Sequence, residues 1–221
     1  YDTYPTRHAQ VAASILAHTA PALVLNAGDV VERGGWCEET AEFGWGPEYF
    51  LPGRELFART PAFIAIGNHE YGPSGDPANY QEYFSFPENG SSDPITEDLW
   101  YSFDYASAHF VMIDSAYYEV GGNFAPGSEQ YQWLLGDLSA SEATWKFAVF
   151  HHPPYARSTY VRPPLEEYLV PLLRRYGVQA VFCGHTHFYE RSRARGIHYI
   201  VTGGGGAPLY ALGDPSLNPY S

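Results

Sequence analysis

Four short segments hold the residues best suited to chemistry: Gly28-Asp29, Gly67-Asn68-His69-Glu70, His151-His152-Pro153 and Gly184-His185-Thr186-His187. Imidazole nitrogens, a carboxylate and an amide oxygen make a mixed donor set. Such a set suits Zn²⁺, Mn²⁺ or iron and does not select strongly among them. Asp29 has two carboxylate oxygens, so it can bridge two cations. His185 and His187 are two apart, so an extended backbone sends both side chains to one face. Glycine before three of the candidate ligands lets the backbone turn sharply and approach closely. Each residue also has an ordinary reading: Asp29 as a cap or turn residue, Asn68 as a turn former, His69 as a brace for its turn. Their shared position at strand ends favours a metal site.

Regular elements must bring these turns together. Residues 22–25, 62–66, 147–150 and 178–182 read as short apolar strands, each running into one of the turns. In open α/β sheets, sites gather beyond the carboxyl ends of strands. A helix is expected over 6–20, with Thr6 as N-cap and Pro21 as the stop. Another is expected over 48–59, interrupted at Pro52-Gly53. Ser128 can cap a helix holding Trp133, Leu134 and Leu138. A helix over 165–176 would turn Leu165, Leu169, Leu172 and Leu173 inward and stop at Gly177, with Pro171 weakening it. Strands are expected at 100–105, 110–113 and 198–201. Residues 71–98 read as an ordered excursion anchored by Tyr71, Tyr80, Tyr83, Phe84 and Phe86.

A chain of 221 residues reads as one domain spanning 1–221. Twelve Lys and Arg against 25 Asp and Glu give a formal charge of −13, and Lys146 is the sole lysine. That balance excludes gripping a nucleic-acid backbone through a broad basic surface. Positive charge for a phosphate would have to come from bound cations. No run of about 18 apolar residues is present, so no membrane-spanning helix is expected. Two cysteines, Cys37 and Cys183, cannot build a disulfide framework. The wealth of aromatic, proline and glycine residues suits an extracytoplasmic protein, secreted or periplasmic.

The motifs GD at 28–29, GNHE at 67–70, HHPP at 151–154 and GHTH at 184–187 resemble, in order, the signature blocks of calcineurin-like metallophosphoesterases. GHTHFYERS at 184–192, WYSFDYASAHFVMIDS at 100–115 and EQYQWLLGDL at 129–138 are similar to the purple acid phosphatase branch. The likeness runs over about 22–206. It implies an α/β fold, a four-layer αββα sandwich, carrying two transition-metal ions, Fe, Zn or Mn. It implies that Asp29 bridges both ions, that Asn68, His151 and His185 bind the second, and that His187 binds the first. His69 would orient phosphate and give a proton to the leaving oxygen of a small phosphorylated substrate. Water, not a protein nucleophile, would attack phosphorus. In the pattern His-x-Pro, His151 is the ligand, and His152 then lies behind it or beside the substrate.

Two departures stand out. The family's opening strand with Asp-x-Gly or Asp-x-His does not precede the first helix in this sequence. Additional native residues upstream are expected, with Asp2 a lesser candidate ligand. The tyrosine found three residues after the bridging aspartate in purple acid phosphatases is Glu32 here, so no purple colour is expected. Glu32-Arg33-Gly34 is closer to the general pattern, in which Arg33 either contacts phosphate as a fork or pairs with a neighbouring acid. Glu70 could accept the second N–H of a ligand histidine or be a surface acid. Glu190 and Arg191 read as a structural pair, Cys183 as a buried small hydrophobe, and Cys37 as free or paired outside the chain. His8, His18, His109 and His198 read as ordinary. Trp36, Trp45, Tyr71, Tyr155, Tyr160 and Phe188 either wall a pocket or anchor loops. The activity expected is phosphomonoester hydrolysis. The alternatives are a phosphodiesterase and a non-catalytic metal-binding relative.

Overall fold

The computed structural model describes residues 4–34, 43–71, 75–116 and 124–221. Asp2, Trp36 and Cys37 lie outside them. The first helix, α1 (Tyr4–His18), begins before the expected cap. Pro5 has the fixed φ that suits a first helical turn, so Thr6 falls inside the helix and does not cap it.

Two prolines explain where the next helices begin. A π-helical turn over Trp45–Phe50 precedes α2 (Leu51–Phe57), and another over Leu165–Leu169 precedes α5 (Val170–Arg175). The amide of Leu51 reaches back to the Gly46 carbonyl, and that of Val170 to Leu165, each five residues. The wider turn tolerates a following proline, which lacks an N–H and crowds the carbonyl four residues back. Pro52 and Pro171 therefore open helices and do not interrupt them. The remaining helices are α3 (Ala78–Tyr83) and α4 (Glu129–Ala140). Ser128 caps α4 by accepting from the Tyr131 amide.

The strands are β1 (Val24–Asn26), β2 (Ala62–Ile64), β3 (Tyr101–Tyr105), β4 (Ala108–Ile113), β5 (Trp145–Phe150), β6 (Ala180–Cys183), β7 (Tyr189–Ala194) and β8 (Ile197–Thr202). β1 and β2 form a parallel pair. The other six form one sheet in the order β3-β4-β5-β6-β8-β7. Its inner strands are parallel and its two edges antiparallel.

Alternation along the strands builds the layers. Leu25 and Phe63 of the small sheet face Phe103, Met112, Val149 and Phe182 of the large one. Phe63 stacks on Phe103 at 3.7 Å. The next residues out of phase point away. Ile64 packs with Tyr49 and Tyr80 from the helical segments beside the small sheet. Val111, Ile113, Ala148 and Phe150 pack with Leu134 and Leu138 of α4, Leu169 of the second π-helical turn and Leu173 of α5. The order is helices, small sheet, large sheet, helices, an α/β fold. Within 71–98, Tyr80 is fully buried and donates to the Ile64 carbonyl, whereas Tyr83 is exposed. β7 was not expected from the sequence. It pairs with β8 through Glu190, Ser192 and Ala194 turned inward.

Candidate metal centre

β1, β2, β5 and β6 are all followed by their polar turns at their carboxyl ends, where the two sheets meet. Close approach is bought by missing side chains. A Cβ on Gly67 would lie 2.3 Å from Asp29 Oδ1, and one on Gly28 would lie 2.8 Å from His151 Nδ1. Asp29 and His185 hold φ near 52° and 63°, the left-handed region that non-glycine residues occupy with strain.

His151 sits at the middle of the cluster. Its Nδ1–H donates to the Ala27 carbonyl at 2.7 Å, which fixes the ring and leaves Nε2 facing inward. Nε2 lies 2.8 Å from Asp29 Oδ2 and 3.1 Å from His185 Nδ1. His185 Nδ1 is also 3.1 Å from Asn68 Oδ1. Thus Asp29, Asn68, His151 and His185 converge. Nitrogens of His151, His152 and His185 all lie within 4.8 Å of one another. Nitrogen and oxygen donors aimed at one point fit a transition-metal ion.

His187 stands apart from that group. Its Nδ1–H donates to the Pro208 carbonyl at 3.0 Å, and its ring stacks on Tyr210. It lines a cavity of about 290 Å³ together with Asp29, His69 and His185. The same cavity runs beside β1 toward α1. Among the described residues, β1 pairs only with β2.

The remaining candidates are placed as follows. His69 donates from Nδ1 to the Glu32 carbonyl at 2.8 Å, and its Nε2 is 3.9 Å from Asp29 Oδ2. Its amide donates to Asp29 Oδ1 at 2.9 Å. His152 is fully buried, with Nδ1 3.0 Å from the Ser115 hydroxyl. Arg33 is exposed, and its guanidinium covers the Phe43 ring at 4.7 Å.

Electrostatics match this geometry. Burial favours the neutral Asp29 carboxyl, but the His151 and His69 imidazoles outweigh it and hold Asp29 well below the usual carboxylate range. Burial, then the neighbouring His151 and His152, push His185 down to about 3. A neutral imidazole keeps its lone pair for a cation. Burial would lower His69, yet the Asp29 carboxylate and the Glu32 carbonyl raise it.

Two sequence expectations change. Glu70 neither meets a histidine nor lies on the surface. It is fully buried and accepts from the amides of Asp29, Val30 and Gly67 at 2.8, 2.8 and 2.6 Å. It ties the first two turns together, and burial beside Asp29 raises its carboxyl to about 7. Glu190 does not pair with Arg191, because strand alternation puts them on opposite faces. It accepts from the Arg157 amide and the Asn218 side chain. Of the aromatics, Tyr71 and Tyr155 are buried loop anchors, Trp45 is buried in the π-helical turn, Phe188 is buried beside a surface hollow, and exposed Tyr160 stands edge-on to His185. Ser115 and Tyr210 were missed. Neither belongs to a motif, and only their neighbours in space reveal them.

Residues 6–189 match the calcineurin-like phosphoesterase family. The chain belongs to that family. It is similar to purple acid phosphatase 15 of Arabidopsis thaliana, 32% identical over 87% of this chain and 41% of that protein. It is also similar to the probable inactive purple acid phosphatase 9 of the same plant, 28% identical over 80% of this chain and 30% of that protein. Among solved structures, purple acid phosphatase PPD1 from yellow lupin (Lupinus luteus) seeds superposes with a TM-score of 0.75 at 20% identity, over 96% of this chain and 41% of that one. The latter likeness concerns the fold alone. The chain spans less than half the length of these curated relatives. No helix among the described residues is long and apolar enough to cross a membrane.

Proposed function

We propose that this chain carries the catalytic domain of an extracytoplasmic phosphoesterase that hydrolyses phosphomonoesters at a dinuclear metal centre. One observation carries the reading. His151 Nε2 reaches both Asp29 and His185, and His185 reaches Asn68. Asn68, His151 and His185 would hold one ion, His187 the other, and Asp29 both. Bound ions supply the positive charge a phosphoester needs and acidify water toward neutral pH.

The chain's own residues position and protonate. Glu70 fixes the backbone of Asp29 and Gly67, so the two turns keep their spacing. His69, with one nitrogen held by Glu32, keeps the other for the substrate. Its raised pKa keeps a proton available for the departing alkoxide. Arg33 would meet the phosphate from the rim, and buried His152 would support the cluster from the Ser115 side.

Metal analysis and paired assays with a nitrophenyl monoester and a bis-nitrophenyl diester test this. Two ions per chain and faster monoester turnover are expected. Asp29→Asn should lose metal and turnover together. His69→Ala should keep metal while kcat falls about 10²- to 10⁴-fold. Unchanged turnover in both variants would overturn the assignment. Faster diester turnover would make the protein a phosphodiesterase. The likeness to a probable inactive relative favours a second reading, a metal-binding protein without catalysis. One ion per chain and no turnover would establish it.

A further inference from the structure

A second hollow, of about 480 Å³, adjoins the metal centre. Val11, Thr202 and Gly205 border both hollows, so they form one continuous groove. Among the described residues, the outer part is lined by Phe188, Tyr189, Leu209, Tyr210 and Leu212 and by no charged side chain. Leu209 and Tyr189 are 72% and 65% exposed, and Tyr210 and Leu212 are about half exposed. Several large apolar side chains gathered in the open beside a site mark a surface that binds something.

Tyr210 links this surface to the centre. Its ring stacks on His187 at 4.2 Å with 19° between planes, and its amide donates to the His187 carbonyl at 2.7 Å. A group lying on Tyr210 is therefore held in register with His187. The passage is open beside Gly205, where a Cβ would meet nothing within 4 Å. Among the described residues, no Lys or Arg lines either hollow. A second phosphate in the outer groove would therefore find no cationic side chain in its lining.

We propose that this groove is the subsite for the alcohol half of the substrate, and that it takes an uncharged aromatic or large apolar group. The proposal rests on the phosphoesterase reading of the centre. It narrows the substrate to esters carrying a single phosphate and a hydrophobic alcohol. Tyr210 and Leu209 are specificity residues that act on binding of the organic half and not on bond cleavage.

The test compares 2-(1-naphthyl)ethyl phosphate with ethyl phosphate on the metal-loaded 221-residue chain. Both leaving groups are alkoxides, so intrinsic reactivity is nearly matched. The naphthyl ester should show about 10- to 100-fold higher kcat/KM. Tyr210→Ala and Leu209→Ser should each shrink that ratio several-fold. Leu217→Ser, an exposed leucine outside the groove, should leave the ratio unchanged. A second readout needs no turnover: 2-(1-naphthyl)ethanol alone should perturb the NMR signals of the Tyr210 ring. Turnover of both esters at a ratio near one, with no perturbation of Tyr210, would overturn the subsite and leave the phosphoesterase reading standing. No turnover of either ester, with the Tyr210 signals still moved, would remove the phosphoesterase reading and keep the groove as an aromatic-binding surface. A dimer in sedimentation that Leu209→Ser dissociates would assign the surface to a second copy of this chain and overturn the proposal.

Discussion

Two histidine clusters on this fold have opposite electrostatics. Near the start of β4, His109 lies between two acids: Nδ1 is 2.8 Å from Asp104 Oδ1 and Nε2 is 2.7 Å from Asp137 Oδ2. Ser102 donates to the other Asp137 oxygen. Burial would lower the His109 pKa, but the two carboxylates raise it. The cluster is complete in itself, since both ring nitrogens of His109 have a carboxyl partner within 2.8 Å. At the strand ends, three histidines face one another, with Asp29 the carboxylate in contact with His151. There burial, and after it the neighbouring His151 and His152, oppose protonation of His185 and push it down to about 3. The same residue type is held between two carboxyls in one place and gathered with other histidines in the other.

The strongest way to break the comparison is steric. Gly67→Ala would place a Cβ 2.4 Å from the Asp29 amide as well as against its carboxylate. Backbone cannot step aside cheaply, so stability should fall by about 3 kcal/mol in urea unfolding. Metal content should fall with it, because Asp29 must move. The His109 cluster, far along the sheet, should keep its ring signals.

Metal loading should sharpen the contrast by nearly as much. An ion held at a hundred times its Kd stabilises the fold by about 2.7 kcal/mol. That increment should appear in wild type and in His109→Ala and vanish in His185→Ala. An equal increment in all three, read from unfolding curves with and without chelator, would show that the ion binds elsewhere.

His109→Ala should itself cost about 2 kcal/mol, since Asp137 loses a charge-assisted partner while mostly buried. Metal content should not change. Both features distinguish a structural histidine from a ligand.

The sequence exposed one cluster and concealed the other. Asp29, Asn68, His151 and His185 follow apolar strands and sit in short motifs, so topology alone gathers them. His109 sits inside β4, and its partners come from β3 and α4, 5 and 28 residues away. Nothing local announces that meeting. β7 was hidden for a related reason. Its inward face carries Glu190 and Ser192, so an apolar alternation never appears. Glu190 is tolerated inside because an amide and an asparagine satisfy it. Glu70 was visible in its motif but not in its role, which depends on two turns that meet only after the sheets pack.

The smallest expected effect is the pH dependence that His109 confers. Its folded pKa lies above the ordinary value, so the folded state binds the proton more tightly than the unfolded one. The stabilisation is fully present below the unfolded value, about 6.5, and is lost as pH rises through the folded value. The acidic groups facing His109 are the carboxyls of Asp104 and Asp137. Asp104 is largely exposed, which weakens its share through solvent screening. His109→Gln keeps two hydrogen-bonding ends but cannot take the proton. The difference in unfolding free energy between wild type and His109→Gln should therefore shrink from pH 6 upward, by less than the whole cost of His109→Ala. A difference that grows with pH would mean that His109 is neutral in the fold, and the contrast between the two clusters would be lost.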